Sequence, residues 1–397
     1  MTTLTADLPH AAFQLDGDAP HIHSAHSKRH VLAAWTLAAT VVAGCGIVLY
    51  GFAAFVVIVL CVATAVGCEA IMSAVIGSRD RVGLRHALLT GLLVALTLPA
   101  TVPWYVPCAA AAAAIIPATW MLGGFGHYLW QPAVVGRVLV QFLFAQQLSF
   151  GQALAHSPVL VPGRLLVGNL AAASEVPPGH YYGWTQTVAD PRADAFLIER
   201  PVQTLRRLAD GELPVDPALP LTSLLRNYLP PWEDTVLGTV PGGIGETSCI
   251  ALIVVGLYLI YRGFLRWQIP VAGVVAAAAV AGTLAITVPN AADRGEHSMW
   301  LPGLAVERGQ AVGVQYVLFQ LTSGELMLCL FLLAGDFLAR PLVARGQAIF
   351  AAGIGAITIL MRRYGPAECA GYWAILVMNT LVPIIDRRTR RRPLGTG

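Results

Sequence analysis

Three acidic residues lie in or beside long apolar runs, where an ionised carboxylate is costly. Glu69 and Glu325 interrupt such runs, and Asp336 follows the second of them. As a carboxylate, Glu325 would relay a proton or coordinate Na⁺; as a neutral acid, it would hydrogen-bond to a neighbouring helix. Ion handling and helix capping explain Asp336 equally well. The sequence therefore makes Glu69, Glu325 and Asp336 the candidates for an ion pathway.

A glycine-rich stretch at residues 241–248, with the sequence PGGIGETS, precedes an almost wholly apolar run. Glycines let the backbone approach a ligand or a neighbouring helix closely. The start of a helix offers unpaired N–H groups to an anion or a polar ligand. Gly245, Glu246, Thr247 and Ser248 are therefore candidates for a flavin or ion site, although a structural helix cap explains them almost as well.

The composition indicates a membrane protein. Of the 397 residues, 56% are hydrophobic and 12% are charged, about half the charged fraction of soluble domains. Apolar runs near twenty residues long predict a polytopic helical protein embedded in lipid. The net charge of +3 gives no reason to expect nucleic acid as a partner. The seven cysteines lie singly, without CxxC spacing, which predicts small buried side chains rather than disulfides, a cluster or a metal site.

Ten apolar runs predict ten transmembrane helices. The runs cover residues 31–50, 52–77, 85–101, 105–122, 131–148, 247–265, 269–288, 312–334, 344–361 and 369–385. They divide the chain into a cytoplasmic tail at 1–29, a first membrane half at 30–148, a periplasmic or extracytoplasmic segment at 149–246, a second membrane half at 247–385, and a basic cytoplasmic tail at 386–397. The basic residues close to the ends of the runs predict the cytoplasm for both termini, because these fall on one side: Lys28, Arg29, Arg79, Arg81, Arg85, Arg262, Arg266, Arg340, Arg345 and the basic tail. The long translocated segment at 149–246 is exempt from this rule. Arg362 and Arg363 are the exception.

The two predicted halves resemble each other. Residues 88–98 are similar to residues 321–331, and the aromatic–glycine pair at 125–126 has a counterpart at 364–365. An odd number of helices in each half makes the second copy inverted, and inverted repeats with broken helices place a ligand or ion path near the membrane midplane. The predicted fold class is an all-α polytopic membrane protein of two inverted five-helix repeats.

Several motifs carry a resemblance to a known family. They are found in order at residues 88–99, 124–137, 232–238, 243–248, 335–346 and 378–386. On these residues the chain resembles the D subunits of Rnf complexes and, more distantly, the B subunit of the sodium-pumping NADH:quinone oxidoreductase. Among them, the motifs around Gly126, Glu246 and Asp336 are retained, which adds Gly126 to the candidates for cofactor binding.

The resemblance implies a subunit of a ferredoxin:NAD⁺ oxidoreductase in the bacterial inner membrane, with a urea-transporter-like fold. Electron transfer through flavins and iron–sulfur clusters would be coupled to Na⁺ or H⁺ translocation. The implied partners are other Rnf subunits, including a flavin-bearing peripheral subunit and iron–sulfur subunits, and membrane lipid. The chain itself has no nucleotide-binding motif, so NAD⁺ chemistry would belong to another subunit. This chain would then be a flavin carrier or a non-catalytic subunit of the translocase.

One position departs from the family. The family attaches FMN to a threonine in a motif resembling Asp-Ala-x-Ser-Gly-Ala-Thr-Pro-Leu. Asp194, Ala195 and Pro201 keep that frame, but Arg200 occupies the threonine position. A phosphoester needs a hydroxyl oxygen, which a guanidinium lacks, so no covalent FMN is expected. A noncovalent flavin, riboflavin or FMN, stays open. Arg200 would then bind a phosphate without a covalent bond, or else form an ion pair with Glu199 or Asp194 on a solvated surface.

The missing threonine favours an alternative from a different class. A transporter, channel-like protein or scaffold subunit with the same inverted-repeat fold would need no electron transfer of its own. The family motifs retained over most of the chain favour the electron-transfer complex.

Overall fold

A computed structural model describes most of the membrane-embedded part of the chain. The described residues are 28–77, 81–124, 126–149, 152–153, 197–198, 202–203, 205–206, 232–238, 242–246, 248–284, 286–289, 297–300 and 312–389. Within these ranges the chain is mostly helical, and strands are confined to two short antiparallel pairs.

The first membrane half contains a series of apolar helices. They are α1 (Lys28–Tyr50), α2 (Phe52–Ile76), α3 (Arg81–Thr97), α4 (Tyr105–Ile115), α5 (Pro132–Leu143) and α6 (Ala145–Ser149). Helix α4 continues into one π-helical turn, Ile116–Trp120. Gly77 ends α2 in the left-handed conformation, with φ 73°, as glycine commonly does at a helix end. Helix α5 starts at a proline, whose fixed φ suits a first helical turn.

The polar middle segment and the second half follow. They contain β1 (Gln152–Ala153), β2 (Leu197–Ile198), α7 (Trp232–Leu237), α8 (Cys249–Tyr261), α9 (Gln268–Thr283), β3 (Ile286–Pro289), β4 (His297–Trp300), α10 (Val312–Thr322), α11 (Leu326–Leu328), α12 (Ala344–Tyr364) and α13 (Ala370–Thr389). Strand β1 pairs with β2, and β3 pairs with β4. Helix α11 continues as a π-helical turn, Cys329–Leu333, and a 3₁₀ turn, Ala367–Cys369, precedes α13.

Four described helices are long and apolar enough to cross a membrane. They are α1, α2, α12 and the segment Ala367–Thr389, which includes α13. The pair Gly313–Thr322 and Leu326–Leu333 makes a fifth span if the two pieces, bent by 58°, are counted together. Shorter apolar helices lie within the five remaining predicted runs. A mostly helical, multi-pass membrane protein is therefore confirmed, while the count of ten spans, the inverted repeat and the domain limits stay predictions.

Three of the predicted runs are wrong as continuous helices. The run at 312–334 breaks at residues 323–325, because Gly324 adopts a left-handed φ of 70°. The run at 269–288 ends as a helix at Thr283 and continues into β3. The run at 131–148 is divided at Phe144, whose φ and ψ of −131° and 40° leave the helical region. In each case apolar residues resume after the break, so an apolar run of membrane length was read as one helix.

The buried core is continuous through both halves. In the first half α2 packs against α3 and α4, and α4 packs against α5; in the second half α9 packs against α12, and α12 packs against α13. Contacts of α1 with α8 and of α5 with α13 join the halves. Small residues allow these close approaches, as is usual between membrane helices. The tightest approach to a backbone atom is at Gly355 of α12, where a Cβ atom would lie 2.1 Å from the carbonyl oxygen of Gly273 in α9.

We expect Gly355→Ala to destabilise the chain, because the added methyl group must push α9 and α12 apart at a backbone contact. Overpacking of this kind costs about 1–3 kcal/mol. The measurement is the thermal unfolding temperature of the full-length chain in detergent.

The matched control for this change is Gly67→Ala in α2, where an added Cβ meets nothing within 4 Å. Alanine favours a helix more than glycine does, so this control should be neutral or slightly stabilising. Equal unfolding temperatures for the two variants would contradict the packing of α9 on α12.

Candidate functional site

The glycine-rich turn at residues 242–246 is built into the end of α3. The backbone N–H of Ile244 donates to the carbonyl of Leu98 at 2.9 Å, and that of Gly245 donates to Leu96 at 2.8 Å. A Cβ on Gly245 would lie 2.7 Å from that of Leu96. The small size of Gly245 is therefore used for packing against α3.

Glu246 lies at the end of this turn and is 1% exposed. Its Oε2 accepts a hydrogen bond from the N–H of Gly243 at 2.7 Å, and its Oε1 accepts from the hydroxyl of Tyr372 in α13. Ser248 is the N-cap of α8, since its Oγ accepts from the N–H of Ala251 at 3.3 Å. Ser248 thus has the capping role that was one of its two interpretations, whereas Glu246 links its own turn to α13.

The described cofactor candidates lie in two different turns. Gly126 lies in a turn with φ 101° and open space at its Cβ position, whereas Gly245 and Glu246 lie in the packed turn at residues 242–246. Thr247 and Arg200 lie outside the described residues. Both carboxylate oxygens of Glu246 accept hydrogen bonds, one from the N–H of Gly243 and one from the hydroxyl of Tyr372.

Arg137 of α5 is fully buried at the end of α3. Its Nε donates to the carbonyl of Thr97 at 3.1 Å, its Nη1 donates to Gln141 at 2.7 Å, and its guanidinium lies 5.6 Å from the ring centroid of Tyr372. A guanidinium over an aromatic face is attracted by the ring quadrupole. Gln141 also donates to Glu368 at 3.1 Å. The guanidinium of Arg137 therefore contacts a carbonyl, an amide and an aromatic ring directly, and a carboxylate only through Gln141.

Glu325 and Arg362 form a buried ion pair at the break between α10 and α11. Arg362 Nε lies 3.6 Å from Glu325 Oε1, and each side chain is 2% exposed. The same carboxylate oxygen accepts from the N–H of Gly371 at 2.9 Å. Arg362 also donates to the carbonyls of Gln320 at 2.5 Å and Ser323 at 2.8 Å. The residue that broke the charge rule in the sequence is thus a buried counter-ion rather than a surface charge.

Asp336 belongs to a third group, in the connections between helices. Its Oδ2 accepts from the hydroxyl of Tyr128 at 3.0 Å, and its Oδ1 accepts from the N–H of Leu338 at 3.2 Å. The hydroxyl of Tyr128 also lies 3.2 Å from His86 Nε2. Desolvation by the surrounding protein raises the pKa of Asp336, while these two hydrogen bonds and the charge of Arg340 act in the opposite direction.

A small pocket reaches Asp336 from the side of α1 and α3. Its polar lining comes from His86, Thr90, Gln131 and Asp336, and the rest is apolar. The space in this pocket has room for about one water molecule, which is far less than a flavin ring needs. A mostly apolar pocket of this size, with a carboxylate in its lining, suits a water molecule, a proton or a small cation.

Glu69 lies apart from these groups, near the end of α2. Its Oε2 accepts a hydrogen bond from Trp120 Nε1 at 2.7 Å, and the residue is 6% exposed. A Cβ on Gly83 of α3 would lie 2.4 Å from its Oε1. The three predicted ion-pathway residues therefore occupy three different environments.

Sequence reasoning missed the partners of the acidic residues. Arg362, Tyr372, Tyr128 and His86 were not among the candidates. One signal was present, since Arg362 lies on the wrong side for the charge rule, and a charge that breaks the rule is often buried. The two tyrosines carry no such signal in the sequence.

Apolar helices that break, with charges buried at the breaks, define a polytopic membrane protein whose interior carries charge. The chain belongs to the NQR2, RnfD, RnfE family, whose sequence pattern matches residues 17–395. The resemblance found in the sequence is therefore confirmed.

Similar proteins extend over nearly the whole chain. The D subunit of the Na⁺-translocating ferredoxin:NAD⁺ oxidoreductase complex of Acetobacterium woodii is 29% identical over 381 residues, which cover 95% of this chain and 93% of the relative. The D subunit of the proton-translocating ferredoxin:NAD⁺ oxidoreductase complex of Clostridium ljungdahlii is 27% identical over 379 residues, 95% of each chain. The D subunit of the ion-translocating oxidoreductase complex of Halorhodospira halophila is 27% identical over 381 residues, 95% and 94% of the two chains.

We expect Tyr128→Phe to raise the pKa of Asp336 further, because the lost hydroxyl donates to the carboxylate and favours its ionised form. The folded-state pKa already lies above the ordinary value of 3.8. The folded chain therefore holds the proton longer than the unfolded chain, and stability falls as the pH rises from 3.8 through the folded-state pKa. The substitution should widen that window.

The measurement is an infrared titration of the carboxylic acid band of the purified chain, assigned by its loss in Asp336→Asn. Tyr105→Phe serves as the control, since the ring of Tyr105 packs against Phe144. A pKa in Tyr128→Phe that is equal to or below that of the unchanged chain would contradict the hydrogen bond.

Proposed function

We propose that this chain is the D subunit of an ion-translocating oxidoreductase complex, a membrane subunit that takes part in electron transfer from ferredoxin to NAD⁺ coupled to ion movement. The observation that carries the proposal is the extent of the match. The family pattern covers residues 17–395, and the Acetobacterium relative is covered over 93% of its own length. A shared fold with a different function would be expected to diverge in whole segments, whereas this likeness includes both membrane halves and the polar segment between them.

The membrane arrangement proposed with this function has ten spans in two inverted five-helix repeats, in the bacterial inner membrane with both termini in the cytoplasm. The packing of the two halves supports it. In each half the second helix packs on the fourth piece, and the fourth packs on the fifth, with α2, α4 and α5 matching α9, α12 and α13. The basic residues between runs support the orientation.

The coupled ion is proposed to be Na⁺ or H⁺. Relatives named for each ion are nearly equally similar, at 29% and 27% identity, so identity does not choose between them. Asp336 and Glu69 are proposed to handle the ion. Asp336 lines a pocket of about one water molecule, and Glu69 keeps a carboxylate in an apolar helix with a tryptophan N–H as its partner. The ion pair of Glu325 with Arg362 makes it less suited to this role.

The chain is proposed to carry no covalent FMN. Arg200 offers no hydroxyl oxygen for a phosphoester, and no step of electron transfer is assigned to that position. Any flavin would be noncovalent, with Arg200 as the proposed contact for a phosphate. The proposed partners are the other subunits of the complex, including a flavin-bearing peripheral subunit and iron–sulfur subunits.

Without a covalent flavin, the denatured chain should give no fluorescent band on a gel under ultraviolet light. A fluorescent band would mean that FMN is attached despite Arg200. Acid extraction of the native protein, run beside the gel, separates a noncovalent flavin from none. Arg200→Ala is the matched control: it should leave the denatured band dark and reduce any extractable flavin with a phosphate group.

The subunit role predicts that the tagged full-length chain, solubilised from native membranes, brings down flavin-containing and iron–sulfur subunits. Deletion of the chain should abolish ferredoxin-dependent NAD⁺ reduction by those membranes. A chain that purifies alone, with NAD⁺ reduction intact after its deletion, would support the transporter or scaffold alternative instead.

A further inference from the structure

The break between α10 and α11 leaves backbone carbonyl groups without helical partners. Gly324 has a φ of 70°, and the two helical pieces meet at 58°. The last carbonyls of any helix lack an internal N–H donor. In lipid, every such group must be satisfied within the protein. In transporters with broken helices, carbonyls at a half-helix end commonly coordinate Na⁺.

Four oxygen atoms converge on the guanidinium of Arg362 at this break. They are the carbonyl oxygens of Gln320 and Ser323 at 2.5 and 2.8 Å, Gln320 Oε1 at 3.2 Å, and Glu325 Oε1 at 3.6 Å. We name these four atoms the oxygen cage. All three residues that supply it are at most 4% exposed.

The orientation of the Gln320 amide is set by a second contact. Its Nε2 donates to the hydroxyl of Tyr316 at 3.0 Å, which leaves Oε1 to face Arg362. Two buried atoms at the same place have no hydrogen-bond partner among the described residues, Ser323 Oγ and Arg362 Nε. The guanidinium therefore sits in the cage without satisfying every group around it.

We propose that Arg362 is a built-in cation, whose guanidinium occupies an oxygen cage that would otherwise take a monovalent metal ion such as Na⁺. The chemistry of the cage supports a cation of single charge. Carbonyl, amide and carboxylate oxygens are hard ligands of the kind that hard cations prefer. One carboxylate, that of Glu325, balances one positive charge.

The permanent positive charge of arginine determines whether this oxygen cage can take an ion. A guanidinium stays protonated in proteins, so Glu325 has a permanent positive partner in Arg362. The carboxylate is then paired without Na⁺. The break between α10 and α11 is consequently closed to the coupled ion in this chain, and ions cross elsewhere.

The end of α3 shows that a buried arginine alone does not make such a cage. Arg137 reaches one carbonyl there, that of Thr97, together with the Gln141 amide and the Tyr372 ring. Among the described residues around it, no carboxylate lies in an ion pair with Arg137. Of these two buried arginines, only Arg362, at the break between α10 and α11, therefore lies in an oxygen cage. This inference goes beyond the proposed electron-transfer role and does not depend on it.

The test is to empty the cage and supply Na⁺. The thermal unfolding temperature of the full-length chain in detergent is measured in NaCl and in choline chloride at equal ionic strength. The variants are Arg362→Ala and the double variant Arg362→Ala/Glu325→Gln. The matched control is Arg363→Ala, which removes the neighbouring arginine, whose guanidinium lies over the ring of Tyr364.

Arg362→Ala is expected to unfold at a lower temperature in choline and to recover by about 2 °C in NaCl, once Na⁺ is about tenfold above its dissociation constant. The unchanged chain and Arg363→Ala should unfold at the same temperature in both salts. The double variant should lose the Na⁺ effect, because the carboxylate that holds the ion is gone.

Two results would overturn the proposal. One is an Arg362→Ala variant that folds but gains no stability from Na⁺; the other is an unchanged chain that Na⁺ stabilises through the same carboxylate. If Arg362→Ala yields no folded protein in choline chloride, its purification in NaCl decides. Folded protein obtained only with Na⁺ supports the proposal, and none in either salt overturns it.

Discussion

A polar backbone group inside an apolar span must find its partner within the protein, because lipid offers none. Two helix ends in the described part of the chain show how the protein meets this constraint. At the end of α3, the carbonyls of Leu96 and Leu98 accept from the turn at 244–245. At the end of α10, Arg362 supplies the donors. The end of α3 is satisfied by the backbone of the turn that precedes α8, and the end of α10 by a side chain of α12.

The choice of a side chain has an electrostatic consequence. A guanidinium taken out of water is costly unless a negative charge and further hydrogen bonds compensate it. Glu325 provides that charge, and it is itself fixed by the N–H of Gly371 at the start of α13. One ion pair thus joins α10, α12 and α13. Removal of either partner would leave a buried unpaired charge, an effect of about 3–5 kcal/mol, so the pair specifies how these helices meet.

Hydropathy predicted the helical membrane architecture, because apolar runs of membrane length have few other uses. It did not predict the break at Gly324, since an isolated glycine is also common inside membrane helices and its φ depends on its surroundings. The acidic residues were found from their unfavourable setting, but their partners were not. Arg362 lies near the C-terminal end of α12, far from Glu325 in the sequence. Their contact therefore depends on how α12 packs against the break between α10 and α11.

At the turn at 242–246 the sequence likewise predicted a close contact but not the partner in that contact. Its glycines indicated close approach, and close approach is what Gly245 makes, but the neighbour is the end of α3 rather than a ligand. Glycines in a sequence indicate that the backbone lies close to another group. They do not identify that group, because contacts between residues far apart in the sequence depend on how all the helices pack.

The bond between the end of α3 and the turn at 244–245 also bears on how the protein is made. Ribosomes deliver the chain from its N-terminus, so α3 enters the bilayer long before the turn exists. Until residue 245 has been synthesised, the carbonyls of Leu96 and Leu98 lack the donors that they have in the finished structure. Until then these two carbonyls must be hydrated or shielded by the insertion machinery. The first half therefore reaches its final packing late in biogenesis.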